Sequence, residues 1–565
     1  MKVRIDLLHA ALASAFVVGT LLTGATTAFA APAPVKNVIV MVPDGCSQSI
    51  QTLSRWYKQH VLDDDEPLTL DGMVSGMVQT HMANSVITGS AAAATAFATG
   101  YKTTVRFLGV APDPNKTDKG NLTGFDDPID NPYQPLASVL EGARLAGKAT
   151  GLVSTSRVTH ATPAAYACHI DDRGCDDEIM EHMVYQNIDV VFGGGKRHLL
   201  PAGLDGGVRA DGDNLLQVLY DRGYQWVEDT AQLNALGSGP AWGLFDDSHM
   251  DPDMDRDPQA QPSLAQMTAK AIELLSHDQD GFFLMVEGSQ VDWAGHANDV
   301  IYMVTDFLAF DRAVAEAMAF AQGEGAGETV VLVFPDHNTG ALSIGSGTAY
   351  TSYTDTSVED LVYPLATMQY TSNVVAGEIL DLASGDPLHW KDVRDGISAI
   401  WGIGVSKADA KEILDMVDDG QSLSYALAEV VSRYYTVLGW TTHGHSGEDV
   451  PLWSYVPDGV ERPVGLFDNT ELAGLTADAL NVDLSAVQDA LFVKVTPDAV
   501  SSVNPDDNPQ VTLGSCVLNV GTNVVASGPI GTLPGVVVQA PSGCAGLAQP
   551  PSYYVPQSAV DACLP

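Results

Sequence analysis

Phe282 to His296 reads F-F-L-M-V-E-G-S-Q-V-D-W-A-G-H. Five apolar residues run without a polar interruption, and Glu287, Asp292 and His296 then follow within ten residues. An apolar run without alternation suits a strand buried on both faces, the usual state of a strand in a parallel sheet covered by helices. Working outward, the same grammar recurs. Val38–Met41 is a short apolar strand ending at Pro43-Asp44-Gly45, and a helix over Leu136–Leu145 feeds the strand Thr150–Ser154. Ile188–Phe192 closes on Gly193-Gly194-Gly195, and helix Met267–Leu275 precedes Phe282–Val286. A helical stretch from about residue 297 to 320 leads to the strand Val330–Phe334. The pattern predicts an α/β fold: a central, mostly parallel β-sheet covered by helices on both faces. The polar residues fall just past the C-terminal ends of strands, where such sheets place ligand sites.

Between about 345 and 438 the rhythm breaks into Trp-, Tyr- and Gly-rich sequence, read as an insertion over or beside the site with a role in subunit contact. From 489 to 565 the chain is rich in Val, Pro, Gly and Ser, which predicts small β structure in an accessory segment. The catalytic body then spans 31–488. Residues 1–30 carry a basic start (Lys2, Arg4), an apolar run from Leu7 to Leu22, and Ala28-Phe29-Ala30, the layout of a secretory signal cut after Ala30. No long apolar stretch recurs, so no membrane anchor is expected, and the mature protein is placed in the periplasm or outside the cell.

Asp and Glu number 71 against 27 Lys and Arg, a formal net charge of −44. Such a surface repels nucleic acid and anionic membranes, and it suits a salty medium that screens self-repulsion. An anionic substrate would need local positive charge, from metals and at least one arginine. The six cysteines are too few for a disulfide-built scaffold. Cys168 and Cys175 are close enough to close a small loop, one pair is expected among Cys516, Cys544 and Cys563, and Cys46 is the candidate free thiol.

The chemistry gathers in a few motifs. Thr88-Gly89-Ser90-Ala91-Ala92-Ala93-Ala94-Thr95-Ala96 puts Ser90 at the first turn of a helix, where unpaired N–H groups and the helix dipole favour an anion. Taken alone, Ser90 reads first as a helix cap, and so does Asp44. No adjacent histidine or lysine supplies Ser90 with a base, so a catalytic Ser90 requires activation by a metal. Oxygen and imidazole ligands are present: Glu287, Asp292 and His296; Asp336 and His337 after the next strand; His443 and His445 in T-T-H-G-H-S-G-E-D-V. This mixture suits zinc with a neighbouring magnesium. T-H-A-T-P-A-A-Y-A-C-H-I-D-D-R, residues 159–173, adds the Thr162 hydroxyl, the His160 imidazole as a metal or phosphate contact, and the Arg173 guanidinium as a clamp for two phosphate oxygens.

Six motifs in this order, the aspartate at 44, T-G-S-A-A-A-A-T-A, H-A-T-P-A-A, Glu287 to His296, Asp336-His337 and H-S-G-E-D-V, resemble the alkaline phosphatase family in a secreted bacterial branch. The resemblance implies an alkaline-phosphatase-like fold, a homodimer, and alkaline hydrolysis of small phosphate monoesters through a phosphoserine on Ser90. It implies two Zn2+ and one Mg2+ per subunit. Asp292, His296 and His445 would hold the first zinc, Asp44, Asp336 and His337 the second with Ser90 joining during reaction, and Asp44, Thr162 and Glu287 the third ion. Arg173 would bind phosphate oxygens and His443 would support a ligand from behind. Three departures stand out. Gly89 replaces an aspartate that many relatives carry beside the nucleophile, which predicts a more mobile Arg173. His160 and Trp293 replace polar residues near the third metal and the substrate, which leaves the third ion's identity open. A phosphodiesterase or sulfatase on the related metal-hydrolase scaffold is the enzymatic competitor. An acidic metal-binding or adhesive module, drawing on the Asp-rich stretch 246–257, is the non-catalytic one.

Overall fold

The computed structural model describes residues 35–113, 132–348, 353–383, 385, 387–501, 509–544 and 550–565, so the expected signal segment lies outside the described residues. The central sheet has ten strands: β1 (Asn37–Pro43), β2 (Val74–Gln79), β3 (Ala149–Arg157), β4 (Val190–Gly194), β5 (Gln225–Val227), β6 (Ala241–Leu244), β7 (Phe282–Gly288), β8 (Thr329–Val333), β9 (Val450–Tyr455) and β10 (Gly465–Asp468). Their order is β10-β2-β9-β8-β1-β7-β3-β4-β6-β5. Only β9 runs against its neighbours β8 and β2; the other pairs are parallel.

Successive side chains of a strand point to opposite faces, so an unbroken apolar run feeds two cores at once. In β1, Val38, Val40 and Val42 pack with the alanines and Phe97 of helix Ser90–Thr99 and with Leu472 and Ala473 of helix Glu471–Leu480. Ile39 and Met41 face the opposite way, onto Ile50 and Leu53 of helix Gln48–His60 and the apolar sides of helices Leu264–Leu275 and Val300–Gln322. β1 lies between β7 and β8 with Pro43 opposite Gly288 and Met41 opposite Val333. Three parallel strands thus end side by side, and whatever follows them meets at one edge. The helix expected over Leu136–Leu145 begins at Val139, because Ser138 and Glu141 form a reciprocal capping box.

The segment between 345 and 438 is helical where it is described, with helices Val358–Ala366, Ser372–Ala383, Trp390–Ile400, Lys407–Asp418 and Leu423–Tyr435. Its Trp, Tyr and Gly content concealed amphipathic faces: Val362, Ile379, Ile397, Ile413 and Val430 all join the core on the Ile39 side of the sheet. The C-terminal segment forms a three-stranded and a four-stranded antiparallel sheet and ends in helix Gln557–Cys563. Cys516 pairs with Cys563 inside it. The expected Cys168–Cys175 loop does not form: Cys168 is a buried free thiol packed among core residues, as Cys46 is, while Cys175 turns toward the C-terminal segment and bonds Cys544. The Asp-rich stretch ties loops together. Asp253 pairs with Arg256 and Arg312, Asp255 accepts from Thr371, and Asp246 and Asp251 accept from Gln261.

Candidate active site

Asp44 is the first residue after β1, and its N–H bonds the Gly288 carbonyl at the end of β7. Gly45 follows at φ +68, where an added Cβ would lie 2.6 Å from Thr339 Oγ1 and 2.8 Å from the Asp292 Cα. Only glycine lets the two strand-end loops close to that distance. Asp336 follows β8 and accepts at Oδ1 from Gly45 N and His337 N, at 3.1 and 2.9 Å. Asp292 and His296 lie on helix Gln290–Ala297, which starts directly after β7. Ser90 is the first residue of its helix, with Gly89 at the cap position, and the buried alanines behind it let that helix sit close to the sheet. The Ser90 hydroxyl does not cap the helix. It lies 3.2 Å from His337 Nε2.

The histidine hydrogen bonds define the site's chemistry. His296 Nδ1 donates to the His443 carbonyl at 2.5 Å, and His445 Nδ1 donates to the Thr88 carbonyl at 2.8 Å. A carbonyl only accepts, so each proton sits on Nδ1 and each Nε2 keeps its lone pair. Those two Nε2 atoms are 3.2 Å apart, with His445 Nε2 3.6 Å from Asp292 Oδ1 and His296 Nε2 3.4 Å from Asp292 Oδ2. Two facing lone pairs beside a carboxylate need a cation between them. Thr339 Oγ1 donates to Asp292 Oδ1 at 2.5 Å and lies 3.2 Å from His337 Nδ1, which turns His337 Nε2 toward Asp336 Oδ2 at 2.9 Å and Asp44 Oδ1 at 3.7 Å. The donor atoms of Asp292, His296 and His445 lie within 4.8 Å of one another, as do those of Asp44, Asp292 and His337, and those of Asp44, His160 and Glu287.

The carboxylates carry the same message. Both Asp44 oxygens, Glu287 Oε1 and Thr162 Oγ1 are buried without a well-aligned hydrogen-bond partner among the described residues. Burial, reinforced by Asp336, Asp292 and Glu287, pushes the Asp44 carboxyl well above the usual range, and burial pushes Glu287 up to about 7. For Asp336 burial acts in the same direction, but His337 outweighs it and holds the carboxyl low. Burying so many acids is unfavourable without counter-charge. The donor set, carboxylate and imidazole nitrogen with a hydroxyl nearby, fits divalent cations.

Arg173 is the cation that faces this cluster, and Asp44 and Asp292 counter the effect of burial on it. Its Nη2 lies 2.6 Å from His160 Nε2. Burial, with Arg173 and Arg157 adding, keeps His160 far below its ordinary pKa and therefore neutral, able to accept that bond. Gly89 was expected to deprive Arg173 of a carboxylate tether, and the side-chain partner described for the guanidinium is the His160 ring rather than a carboxylate. A Cβ at Gly89 would meet nothing within 4 Å, so no side chain fills that side, yet His160 holds the guanidinium instead. The neighbouring Asp172 is engaged by Arg106. Trp293 packs edge-on to His160, with ring centroids 5.6 Å apart, and to His249 at 4.3 Å. His443 stands behind His296: its Nδ1 is 2.7 Å from the His296 carbonyl and its Nε2 is 2.8 Å from Glu429 on helix Leu423–Tyr435.

Several contributors were missed in the sequence. Thr339 orients Asp292 and His337, Ser156 and Ser289 donate to Glu287 Oε2 at 3.1 and 2.6 Å, and His249 backs Trp293. Thr339 stands two residues after His337 and was within reach of a motif search; Glu429 and His249 carry no local signal. Thr339→Val keeps the shape and removes the hydroxyl, so metal affinity is expected to fall about 10-fold to 100-fold, measured by competition with a chromogenic chelator.

A parallel-sheet protein with buried acids, Nε2-presenting histidines and an arginine at one strand-end edge is a metal-dependent hydrolase in its architecture. The chain belongs to the alkaline phosphatase family, whose sequence model, described as "Alkaline phosphatase", matches residues 35–482. It is 32% identical to the repressible alkaline phosphatase of Saccharomyces cerevisiae over 499 residues, covering 81% of this chain and 83% of that one. It is 33% identical to alkaline phosphatase 3 of Bacillus subtilis over 460 residues, covering 80% and 90%. Among solved structures, the alkaline phosphatase of Thermus thermophilus superposes with a TM-score of 0.67 at 26% identity, covering 80% and 93%. That of a psychrophilic Shewanella gives 0.64 at 27%, covering 79% and 99%. The reaction is metal-dependent hydrolysis of phosphate monoesters. No described helix is long and apolar enough to cross a membrane.

Proposed function

We propose that Ser90 is the nucleophile of this hydrolysis and that turnover passes through a phosphoserine. The supporting observation is the Ser90 hydroxyl, at the first residue of its helix and 3.2 Å from Nε2 of His337, whose ring also faces Asp336 and Asp44. Asp292, His296 and His445 would hold one zinc, Asp44, Asp336 and His337 a second, and Asp44, Glu287 and Thr162 a magnesium, with His160 close enough to compete there. Bound ions supply charge that favours the Ser90 alkoxide, activates the hydrolytic water and offsets charge on the phosphoryl oxygens. Ser90 gives its hydroxyl proton to solvent, its Oγ attacks phosphorus as the ester P–O bond breaks, and the leaving oxygen takes a proton from water and departs as the alcohol. Water then attacks the phosphoserine from the opposite side, releasing inorganic phosphate and restoring the hydroxyl. Arg173 pairs with two non-bridging oxygens throughout, held by His160. His160 and Trp293 form the wall beside the substrate.

The substrates are small phosphate monoesters, met outside the cytoplasm after signal cleavage, in a homodimer whose acidity suits a salty medium. The catalytic body covers 31–488 with 345–438 inserted in it. Nucleic acid is not a partner, given the net charge of −44. Rates on a mono- and a diester sharing one leaving group test the reading: the monoester is expected to be preferred by about 10-fold to 100-fold, the ratio a lost charged contact accounts for. Preference for the diester would favour the phosphodiesterase reading.

A further inference from the structure

We propose that the C-terminal segment is a positioning element for Arg173, latched to the arginine's loop by the Cys175–Cys544 disulfide. The proposal rests on the reading of Arg173 as the phosphate-binding arginine. The loop from His169 to Cys175 is gripped from two sides. On one side, Leu108 and Ile170 exchange backbone hydrogen bonds at 2.8 and 2.9 Å, and Arg173 N donates to the Arg106 carbonyl at 2.9 Å. On the other side, the C-terminal region touches the loop three times within seven residues. Phe492 packs edge-on to His169 with ring centroids 4.5 Å apart, Ser542 N donates to Asp171 Oδ1 at 2.8 Å, and Cys544 is bonded to Cys175, two residues from Arg173.

The two grips form one packed unit. Phe107, Val110 and Tyr133 share a small core with Phe492, Val536, Val538 and Tyr554 of the C-terminal region. The family match ends at residue 482, so this support is built from sequence beyond the matched region. Within the site the guanidinium has a single side-chain hydrogen-bond partner among those described, His160, at one Nη atom. A guanidinium held at one point depends on its backbone for placement, and binding to an unplaced arginine must include the cost of ordering it. The C-terminal segment lowers that cost by adding contacts to the loop beyond those made by residues 106 and 108. Asp171, Cys175 and Cys544 are not among the residues proposed to hold the zinc and magnesium ions, and the two cysteines are spent in the disulfide.

The test is a double-mutant cycle on the metal-loaded, full-length enzyme. Cys544→Ser is expected to raise KM for a monoester and the inhibition constant of inorganic phosphate about 3-fold to 10-fold. It should leave kcat within about 2-fold and the metal content unchanged. In an Arg173→Ala background the same substitution should change neither constant further. Should Cys544→Ser not fold, Asp171→Ala, which keeps the disulfide and releases only Ser542 N, carries the same cycle with a smaller effect in the same direction. Unchanged phosphate affinity in the single variant, or an equal loss in both backgrounds, overturns the proposal. If Arg173→Ala itself leaves phosphate affinity intact, the reading of Arg173 falls and the latch with it, while turnover by that variant would still stand as phosphatase activity.

Discussion

Ser90→Ala is expected to abolish phosphoenzyme formation and to lower kcat by a factor on the order of 10⁶, the scale of loss when a covalent nucleophile is removed. The substitution exchanges one small buried residue for another at the start of an alanine-rich helix, and Gly89 remains at the cap position. Folding should therefore be nearly unaffected, because the hydroxyl does not cap the helix and its one partner is His337. The measurement is rapid quench with a labelled monoester, scored for acid-stable protein-bound phosphate. Alanine is also the better helix former, so a small gain in thermal stability should accompany the loss of activity. Normal turnover by the variant would move the nucleophile elsewhere.

The second large effect concerns stability without metal. Glu287 is fully buried and its carboxyl is held up to about 7 against an ordinary 4.5. The folded state then binds a proton that the unfolded chain has already released, so this group's contribution is fully present below about pH 4.5 and is lost as pH rises through about 7. At about 1.4 kcal/mol per pH unit, chelated protein should lose roughly 3 kcal/mol from this residue alone over that window. Asp44, raised for the same reason with three acidic neighbours adding, shifts stability in the same direction. Glu287→Gln removes the titration without removing the volume, so its chelated form should lose correspondingly less stability between pH 4.5 and 7. Zinc and magnesium should reverse the trend, since metals compete with protons for the same oxygens. Urea unfolding of the chelated and metal-loaded proteins across that pH range measures both. Parallel curves for wild type and Glu287→Gln would show that the carboxyl titrates normally and needs no counter-ion.

Much of the site is legible because of how parallel strands end. β1, β7 and β8 are continuous apolar runs, and the candidate ligands sit at or just past their C-terminal ends: Asp44 after β1, Glu287 at the end of β7 with Asp292 and His296 beyond it, and Asp336 with His337 past β8. Local sequence alone carries those assignments, since strand length and the first polar residue after it are local properties. Ser90 is legible as a helix start for the same reason. Its pairing with His337 is not, because that ring is 247 positions distant in the chain. Likewise the tautomers of His296 and His445 depend on the carbonyls of His443 and Thr88, which reach them through packing of separate elements.

The helices between 345 and 438 were hidden because their apolar residues look scattered until folding places Val362, Ile379, Ile397 and Val430 against one core. Glu429 on the last of these helices reaches His443 with nothing in its neighbourhood to announce it. Cysteine pairing was misjudged on the one link where nearness in sequence was used: Cys175 finds Cys544 across 369 positions, while Cys168 faces the core. Residue order was therefore enough for the sheet, the family and the ligand types, all of which rest on patterns a few residues long. The His160 contact with Arg173, and the contacts of Phe492, Ser542 and Cys544 with the loop that carries it, exist only once folding has brought distant segments together.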